Sequence, residues 1–461
     1  MFFRPTAIAL LILFSIVGLA DDRASLSIDL NQAQYAGGSK TDAQADAYTF
    51  MGLKLNVEGR GKYIDYKLTP QARGTMGDSS ESYFGVTEAY ISQKSLAPGF
   101  SLSLGTRLRH WSYLDEEFNV GIWQPQLRWD YLAPQQKGLT GIFFDWDLSS
   151  SVQVTLFTSP IAIPDQGPQF RLQDGEFSTG NRWFYEPQSR LQLFSRQGVS
   201  DSTPLLYDLE APGAEELIMH SSFGMAVKLR PAGPFWLQLA YAFKPMNQIH
   251  LGLECTTCYN LATPEREFQA KIHPKIIKHN VFTLESGFED SDRKGFLSVT
   301  ADVPNPSGMP GTWEESSLHT MLFMGGAFEQ YVGNFVRPLW MRYSYMKAIE
   351  FKGRKKDGIL GDQVESSLDR YPYRDVASIG GKFLLSQIRS RQITLQSRYL
   401  YSIPENGGWI NAGFDWVMGP ATWGLSVDVL GAEVDPNSSK AGLLSRYRAN
   451  DRINGGFTYA F

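Results

Sequence analysis

The carboxy-terminal run Arg452-Ile-Asn-Gly-Gly-Phe-Thr-Tyr-Ala-Phe461 constrains the fold of this chain more than any other stretch. Ile453, Gly455, Phe457, Tyr459 and Phe461 fall on one parity, and Asn454, Gly456, Thr458 and Ala460 on the other. Successive side chains of an extended strand point to opposite faces, so a period of two gives one apolar face and one small or polar face. The pattern recurs along the chain. Leu26, Ile28 and Leu30 share a face, as do Leu53, Leu55 and Val57, and so do Phe223, Met225, Val227 and Leu229. Phe235, Leu237, Leu239, Tyr241 and Phe243 form the clearest set. No helical periodicity of useful length competes with these segments, which predicts an all-β fold.

Residues 1–20 carry one early cation, Arg4, an apolar run from Ala7 to Val17, and small residues at Gly18 and Ala20. That is the pattern of a secretory signal peptide, with cleavage expected after Ala20. The run is too short to span a membrane as a helix, and beyond it no apolar stretch approaches the needed length. Mean hydropathy is −0.25, yet aromatics make up 13% of residues and there are 43 glycines. Short alternating segments with this composition fit a membrane barrel, whose polar lumen keeps average hydropathy low. The aromatic, alternating terminus resembles the last strand of Gram-negative outer-membrane β-barrels of the porin type. The resemblance implies that Phe461 is read by the barrel-assembly machinery. The domains expected are thus a cleaved signal at 1–20 and one barrel at 21–461, with no N-terminal plug domain.

Connection lengths give the topology. Segments 36–46, 70–82, 111–139 and 158–220 are long, while 59–61, 94–99, 147–151 and 230–233 are short. Reading backward, 432–451 and 350–374 are long, and the Gly419-Pro420 turn and 387–390 are short. Barrels of this class have short periplasmic turns, long outer loops and both termini in the periplasm. The expectation is a single antiparallel up-and-down transmembrane β-barrel of about 18 strands, within 16 to 20. The ambiguity lies between 245 and 295. A strand at 248–254 would bring the count to about twenty, and one strand over 266–289 broken near Pro274 would bring it to about eighteen.

The face opposite each apolar face lines the lumen of so wide a barrel. On it fall Arg107, Arg109, Lys228, Arg230, Lys244, Arg342, Lys382 and Arg398, together with Lys54, Lys67 and Lys271. The anions read on the same face are Glu58, Asp65, Asp145, Asp302 and Asp428. The whole chain is acidic, at −5. A lumen enriched in one sign focuses the field and sets ion preference, so anionic or sugar-like solutes are expected. Cations near strand ends, such as Arg107, Arg109, Lys228 and Arg230, also suit contact with lipopolysaccharide at the rims. Loop 158–220 is too long to be only a connector. It holds Arg171, Arg182, Trp183, Tyr185 and Arg190, which would constrict the pore if folded inward. Loop 111–139, with Trp111, Trp123 and Trp129, is the second candidate.

Gly105-Thr-Arg107-Leu-Arg109, then an acidic Trp-containing loop, then Arg128-Trp129, resembles alginate-export-type barrels, which implies a conduit for an anionic polysaccharide. Cys255 and Cys258 are expected to form a local disulfide in an exported chain, ahead of a metal or redox role. No nucleophile-elbow, metal-ligand or nucleotide-binding pattern is present, and adjacent His220 and Ser221 would point to opposite strand faces. No enzyme activity, cofactor, metal or nucleic-acid partner is therefore expected. The reading is an outer-membrane channel for passive passage of small hydrophilic solutes, surrounded by lipid and lipopolysaccharide, as a monomer or homotrimer. A plugged structural or adhesive barrel is the alternative.

Overall fold

The computed structural model describes residues 21–37, 44–76, 79–187, 189–194, 200–231, 233–259, 266–305, 318–332, 339–351, 370–388, 391–436, 438 and 440–461. Eighteen strands form one closed sheet. They are β1 (Asp21–Tyr35), β2 (Ala47–Arg60), β3 (Ile64–Thr75), β4 (Tyr83–Ala97), β5 (Phe100–Arg107) and β6 (Leu139–Ser149). Next come β7 (Val152–Ser159), β8 (Ser222–Leu229), β9 (Phe235–Pro245), β10 (Lys278–Glu289), β11 (Arg293–Asn305) and β12 (Thr320–Val332). The last six are β13 (Leu339–Phe351), β14 (Asp375–Ile388), β15 (Arg391–Ser402), β16 (Gly407–Met418), β17 (Ala421–Ala432) and β18 (Arg452–Ala460). Each pairs antiparallel with its sequence neighbours, and β18 closes on β1 from Ser27↔Ala460 to Tyr35↔Arg452. Closure removes the two free edges that an open sheet would expose.

The distribution of polarity is inverted relative to a soluble protein. Leu297, Leu104 and Ile91 are 71%, 64% and 61% exposed on the outer surface, whereas Ser103, Glu285 and Asp302 are 0% exposed inside. An apolar outer band with a polar interior suits a sheet bathed in hydrocarbon. At the chain terminus Trp423 packs on Phe457 at 4.7 Å, and Tyr459 meets Phe461 edge-on at 4.6 Å. Phe461 donates its backbone N–H to the Leu26 carbonyl, tying the last residue to the first strand. The Gly419-Pro420 connection is a two-residue hairpin in which Gly419 takes φ +58°, a left-handed geometry open to glycine.

The alternation of long and short connections sorts the two ends of the barrel as expected, with two differences. The segment 70–82 is shorter as a loop because β3 continues through Pro70 to Thr75. A register shift between Thr69 and Pro70 takes up the missing N–H donor. In the ambiguous region, β10 starts only at Lys278, so 266–289 is not one barrel strand. The strand Arg266–Lys275 instead leaves the barrel and pairs with His250–Tyr259 and Ser200–Leu209 in a small four-stranded sheet beside the long-loop end. Cys255 and Cys258 lie on His250–Tyr259, opposite Ala270 and Glu267, and their side chains lie outside the described residues. An extended segment sets Cα atoms three residues apart at about 10 Å, so a bridge between them would require this strand to bend. The signal segment 1–20 also lies outside the described residues.

Candidate functional site

The lumen is built from two unlike halves. On the side of β5–β14 it is filled by the connection 108–138, which folds inward. Ser112 caps a short helix, α1 (Tyr113–Phe118), and Asn119 ends it in a left-handed conformation at φ 48°. The first N–H groups of a helix have no partner within it. Here the wall supplies one: Glu285 on β10 accepts from Ser112 Oγ (2.8 Å), Tyr113 N (3.1 Å) and Leu114 N (3.3 Å). Asp115, inside the loop, accepts from the N–H groups of Gly121, Ile122 and Trp123 at 2.7–3.0 Å. Burial raises the Asp115 pKa, and these three donors oppose the rise. Glu117 reaches two wall cations, Arg342 and Arg398.

Apolar packing completes this plug. Trp111 and Trp123 stack 5.2 Å apart with planes 2° from parallel, and Trp123 Nε1 donates to Thr283 on the wall at 2.9 Å. The same core takes in Phe118 of the plug helix, Phe143, Phe157 and Phe323 of the wall, and Tyr371, Tyr373, Leu443, Leu444 and Tyr447 from two further connections. Neighbouring loops lock onto it. Arg128 donates to Asp165 at 2.8 Å, and Asn247 donates to the Gly121 and Ile122 carbonyls. Asp302 on β11 accepts from Tyr371 and lies 2.6 Å from His279.

The cations read from the sequence are therefore mostly engaged. Arg107 and Arg109 both meet Asp145. Lys228 donates to the Tyr113 hydroxyl at 2.9 Å and lies 4.8 Å from the Trp236 ring. Lys244 is buried and bonds Asn247 and the Pro245 carbonyl. Arg342 bridges Glu329 and Glu117, and Arg398 bonds Glu117. Arg230 is exposed at the short-turn end, and Lys382 is exposed with no ion pair among the described residues. Lys271 is not on the lumen: it lies in the small outer sheet and pairs with Glu210 at 2.9 Å. The inward face also carries anions that the alternation did not single out, namely Asp29, Glu88, Glu285, Glu329 and Asp415. With Asp115 and Glu117 of the plug, they reduce the cationic excess read from the sequence, and several of the wall cations are paired.

Loop 160–221 divides. Arg182, 1% exposed, donates to the Gly37, Ala45 and Ala449 carbonyls at 2.8–3.1 Å and lies over the Tyr35 ring. Trp183 joins the plug core and packs against Tyr447, while Tyr185 donates to the Pro436 carbonyl. Arg171 sits exposed on a small hairpin, Arg171–Gln173 with Glu176–Ser178, and Arg190 starts a strand of the outer sheet. Arg182, Trp183 and Tyr185 thus pack among the long loops and the plug, while Arg171 and Arg190 stand exposed apart from them. His220 bonds the Glu216 carbonyl and Ser221 bonds Lys278, so these two neighbours act separately.

The other half of the lumen, against β1–β3 and β15–β18, holds a cavity of about 600 Å³. Asp29, Asn31, Lys54, Gln71, Arg73, Asn411, Asp415, Asn454 and Thr458 line it, with Asp130 and Leu132 of the plug as one wall. Arg452 at its edge pairs with Asp130 and Asp428 at 2.7 and 2.8 Å. Asp428 also accepts from Trp409, Asn411 and Asn454. Three glycines shape the floor. A Cβ at Gly456, Gly52 or Gly424 would come within 1.7, 2.6 or 3.2 Å of the Asn31, Asp29 or Asp415 side chain. Those side chains lie along the wall over neighbouring strands, which keeps the space in front of them open.

No family model and no curated protein matches this sequence. Among solved structures the chain is similar in fold to outer-membrane β-barrel proteins. One is Wzi of Escherichia coli, described as an outer-membrane protein involved in group 1 capsule assembly and a carbohydrate-binding β-barrel. It is 12% identical, with 99% of this chain and 88% of that one covered and a TM-score of 0.45. OccAB3 of Acinetobacter baumannii is 10% identical over 96% and 99% of the two chains, with a TM-score of 0.47. A mutant of the Rh. blastica porin is 10% identical over 95% and 100%, with a TM-score of 0.40.

Proposed function

We propose that this protein is an outer-membrane channel that admits small hydrophilic solutes to a half-open lumen and holds a plug made of its own loops in the other half. The observation that carries this reading is the cavity of about 600 Å³, lined by amides, hydroxyls and charges inside a barrel with an apolar exterior. Pockets of this volume accept small solutes, and a polar lining substitutes for the hydration such solutes lose. Export after removal of 1–20, and recognition of Phe461 by the assembly machinery, belong to the same proposal. So does a bridge between Cys255 and Cys258. The lining of mixed charge favours polar and sugar-like solutes over simple anions.

A second reading is a sealed binding barrel, favoured by the continuous apolar core from Trp111 to Tyr447. Planar-bilayer conductance separates the two. The channel reading expects small steps for the wild type and larger ones for Glu285→Ala, which removes the wall acceptor of the plug helix. No conductance from either protein, with both correctly assembled, would leave the sealed barrel.

A further inference from the structure

Four carboxylates line the cavity, and three of them face cations. Asp130 and Asp428 share Arg452. Asp29 leans over Gly52, which is registered opposite Arg73 and lies two residues from Lys54. Asp415 on β16 is the exception. It makes no ion pair or side-chain hydrogen bond with a described residue, and its registered partners on β15 and β17 are Thr394 and Gly424. Among the described residues, the inward faces of β16–β18 carry one cation, Arg452, at their long-loop end and already paired.

The strand registers build a frame beside this carboxylate. Gly424 on β17 and Gly456 on β18 lie directly opposite each other, between the inward pairs Ser426↔Asn454 and Thr422↔Thr458. Asp415 flanks Gly424 on one side, and Asn31 on β1 flanks Gly456 on the other. Six polar side chains thus surround a floor of two glycines, and all eight residues line the cavity. Three strand spacings put Asp415 and Asn31 about 14 Å apart at Cα. Both lean into that span: Asp415 comes 3.2 Å from where a Cβ of Gly424 would stand, and Asn31 takes the place of one at Gly456. The acceptor-only Asp428 draws the Asn454 amide N–H at 3.2 Å, which leaves the Asn454 carbonyl oxygen for another partner.

One unanswered negative charge, set among amides and hydroxyls over a side-chain-free floor, suits a ligand with one positive charge and several hydroxyls. We propose that this frame binds a small hydroxylated amine in its ammonium form, an amino sugar or amino alcohol. The ammonium sits against Asp415 over Gly424, and the hydroxyl groups meet Asn454, Asn31, Ser426 and the two threonines. A neutral sugar would leave Asp415 without a counter-charge, and a bare ammonium ion would leave the rest of the frame unused. The inference rests on the cavity that carries the channel reading and names a solute class for it, yet it concerns binding, so it is tested apart from conduction.

The test is equilibrium binding, by saturation-transfer NMR or calorimetry, to the full chain assembled in detergent, at a pH where the amine is protonated. Glucosamine is the probe, compared with glucose, with N-acetylglucosamine, whose amine is blocked, and with cyclohexylamine, which has no hydroxyls. Glucosamine is expected to bind at least about tenfold more tightly than each of the others, the usual worth of a hydrogen bond to a charged group. Asp415→Asn should lower glucosamine to the level of glucose and leave glucose unchanged. Gly424→Leu, which places a side chain on the floor and changes no charge, should abolish binding of both. If Asp415→Asn does not assemble, the probe series and Gly424→Leu still decide. Equal binding of glucose, N-acetylglucosamine or cyclohexylamine, unchanged glucosamine binding by either variant, or no glucosamine binding at all overturns the proposal. Glucosamine binding without any conductance would overturn the channel reading alone, and conductance without glucosamine binding would overturn this inference alone.

Discussion

The two halves of the lumen are made from the same alternating strands and differ in what covers them. Against β5–β14 the inward loop brings its own carboxylates to wall cations and its own tryptophans to a wall core. Glu285, Asp115 and Glu117 each have partners there. Against β1–β3 and β15–β18 glycines take the place of side chains, and charges face open volume. The first half is organised as a protein interior and the second as a binding surface. A barrel wall therefore does not decide whether its lumen is a core or a conduit; the loops it receives do.

The difference is broken most directly by removing Trp123. It is 1% exposed, stacks on Trp111 and donates to Thr283. Trp123→Ala should cost about 4 kcal/mol, the usual range for a fully buried aromatic. It should also raise bilayer conductance by loosening the plug. Thr458→Ala, on the open half, should change stability by less than about 0.5 kcal/mol. Denaturant unfolding in detergent compares the two, and similar losses would mean that the halves are not distinct. Asp115→Ala comes next. It strips one acceptor from three backbone N–H groups in a buried turn, each of which then costs about 1–3 kcal/mol unless water reaches it. A loss of about 3 kcal/mol is expected, confined to the plug. Hydrogen exchange should accelerate over 113–123 and leave β16–β18 unchanged.

The fold was legible because strand alternation and loop length are local. Phe223, Met225, Val227 and Leu229 declare their face without knowledge of any partner strand. Even the region of doubt, 245–295, was bounded correctly. What it contained was hidden because Arg266–Lys275 alternates as a barrel strand does, and only its partners show that it left the barrel. The site was legible in parity and illegible in pairing. Arg107, Arg342 and Arg398 were read on the inward face, but Glu117 is 225 and 281 residues from its two arginines. Nothing in a single sequence joins them. The open recess was missed for a different reason: its signal is glycine on the inward parity at 52, 424 and 456, and a glycine-rich barrel offers many such positions.

Selectivity tests the charge balance. Lys382 faces the lumen exposed, with no ion pair among the described residues, whereas Arg398 holds Glu117. Lys382→Glu should shift the reversal potential in a salt gradient toward cations with little effect on stability. Arg398→Glu should act on the plug, opposing Glu117 with a like charge and increasing conductance along with the shift. If both variants give the same selectivity change and the same stability, the pairing at Glu117 does not hold the plug.

The smallest expected effect is on pH, and it runs in opposite directions in two loop regions. His250, in the small outer sheet, is pushed down to about 4 by burial, with Arg370 adding to the shift. Once detached, it would titrate near 6.5. The docked sheet binds fewer protons than the detached one, so its stability is present above about 6.5 and falls as pH drops from 6.5 toward 4. His110, at the start of the plug, is shifted up by its hydrogen bond to Glu116. Its contribution is complete below about 6.5 and fades as pH rises through its raised value. It is largely exposed, so that contribution is small. Limited proteolysis at pH 5 and pH 8 should thus cut more readily within 250–275 at the acidic value, and His250→Gln should flatten that dependence. Cleavage near 108–112 should shift the other way, only slightly. Equal sensitivity of 250–275 at the two pH values would show that His250 is not held neutral, and would remove the acid-sensitive contrast between the outer sheet and the plug.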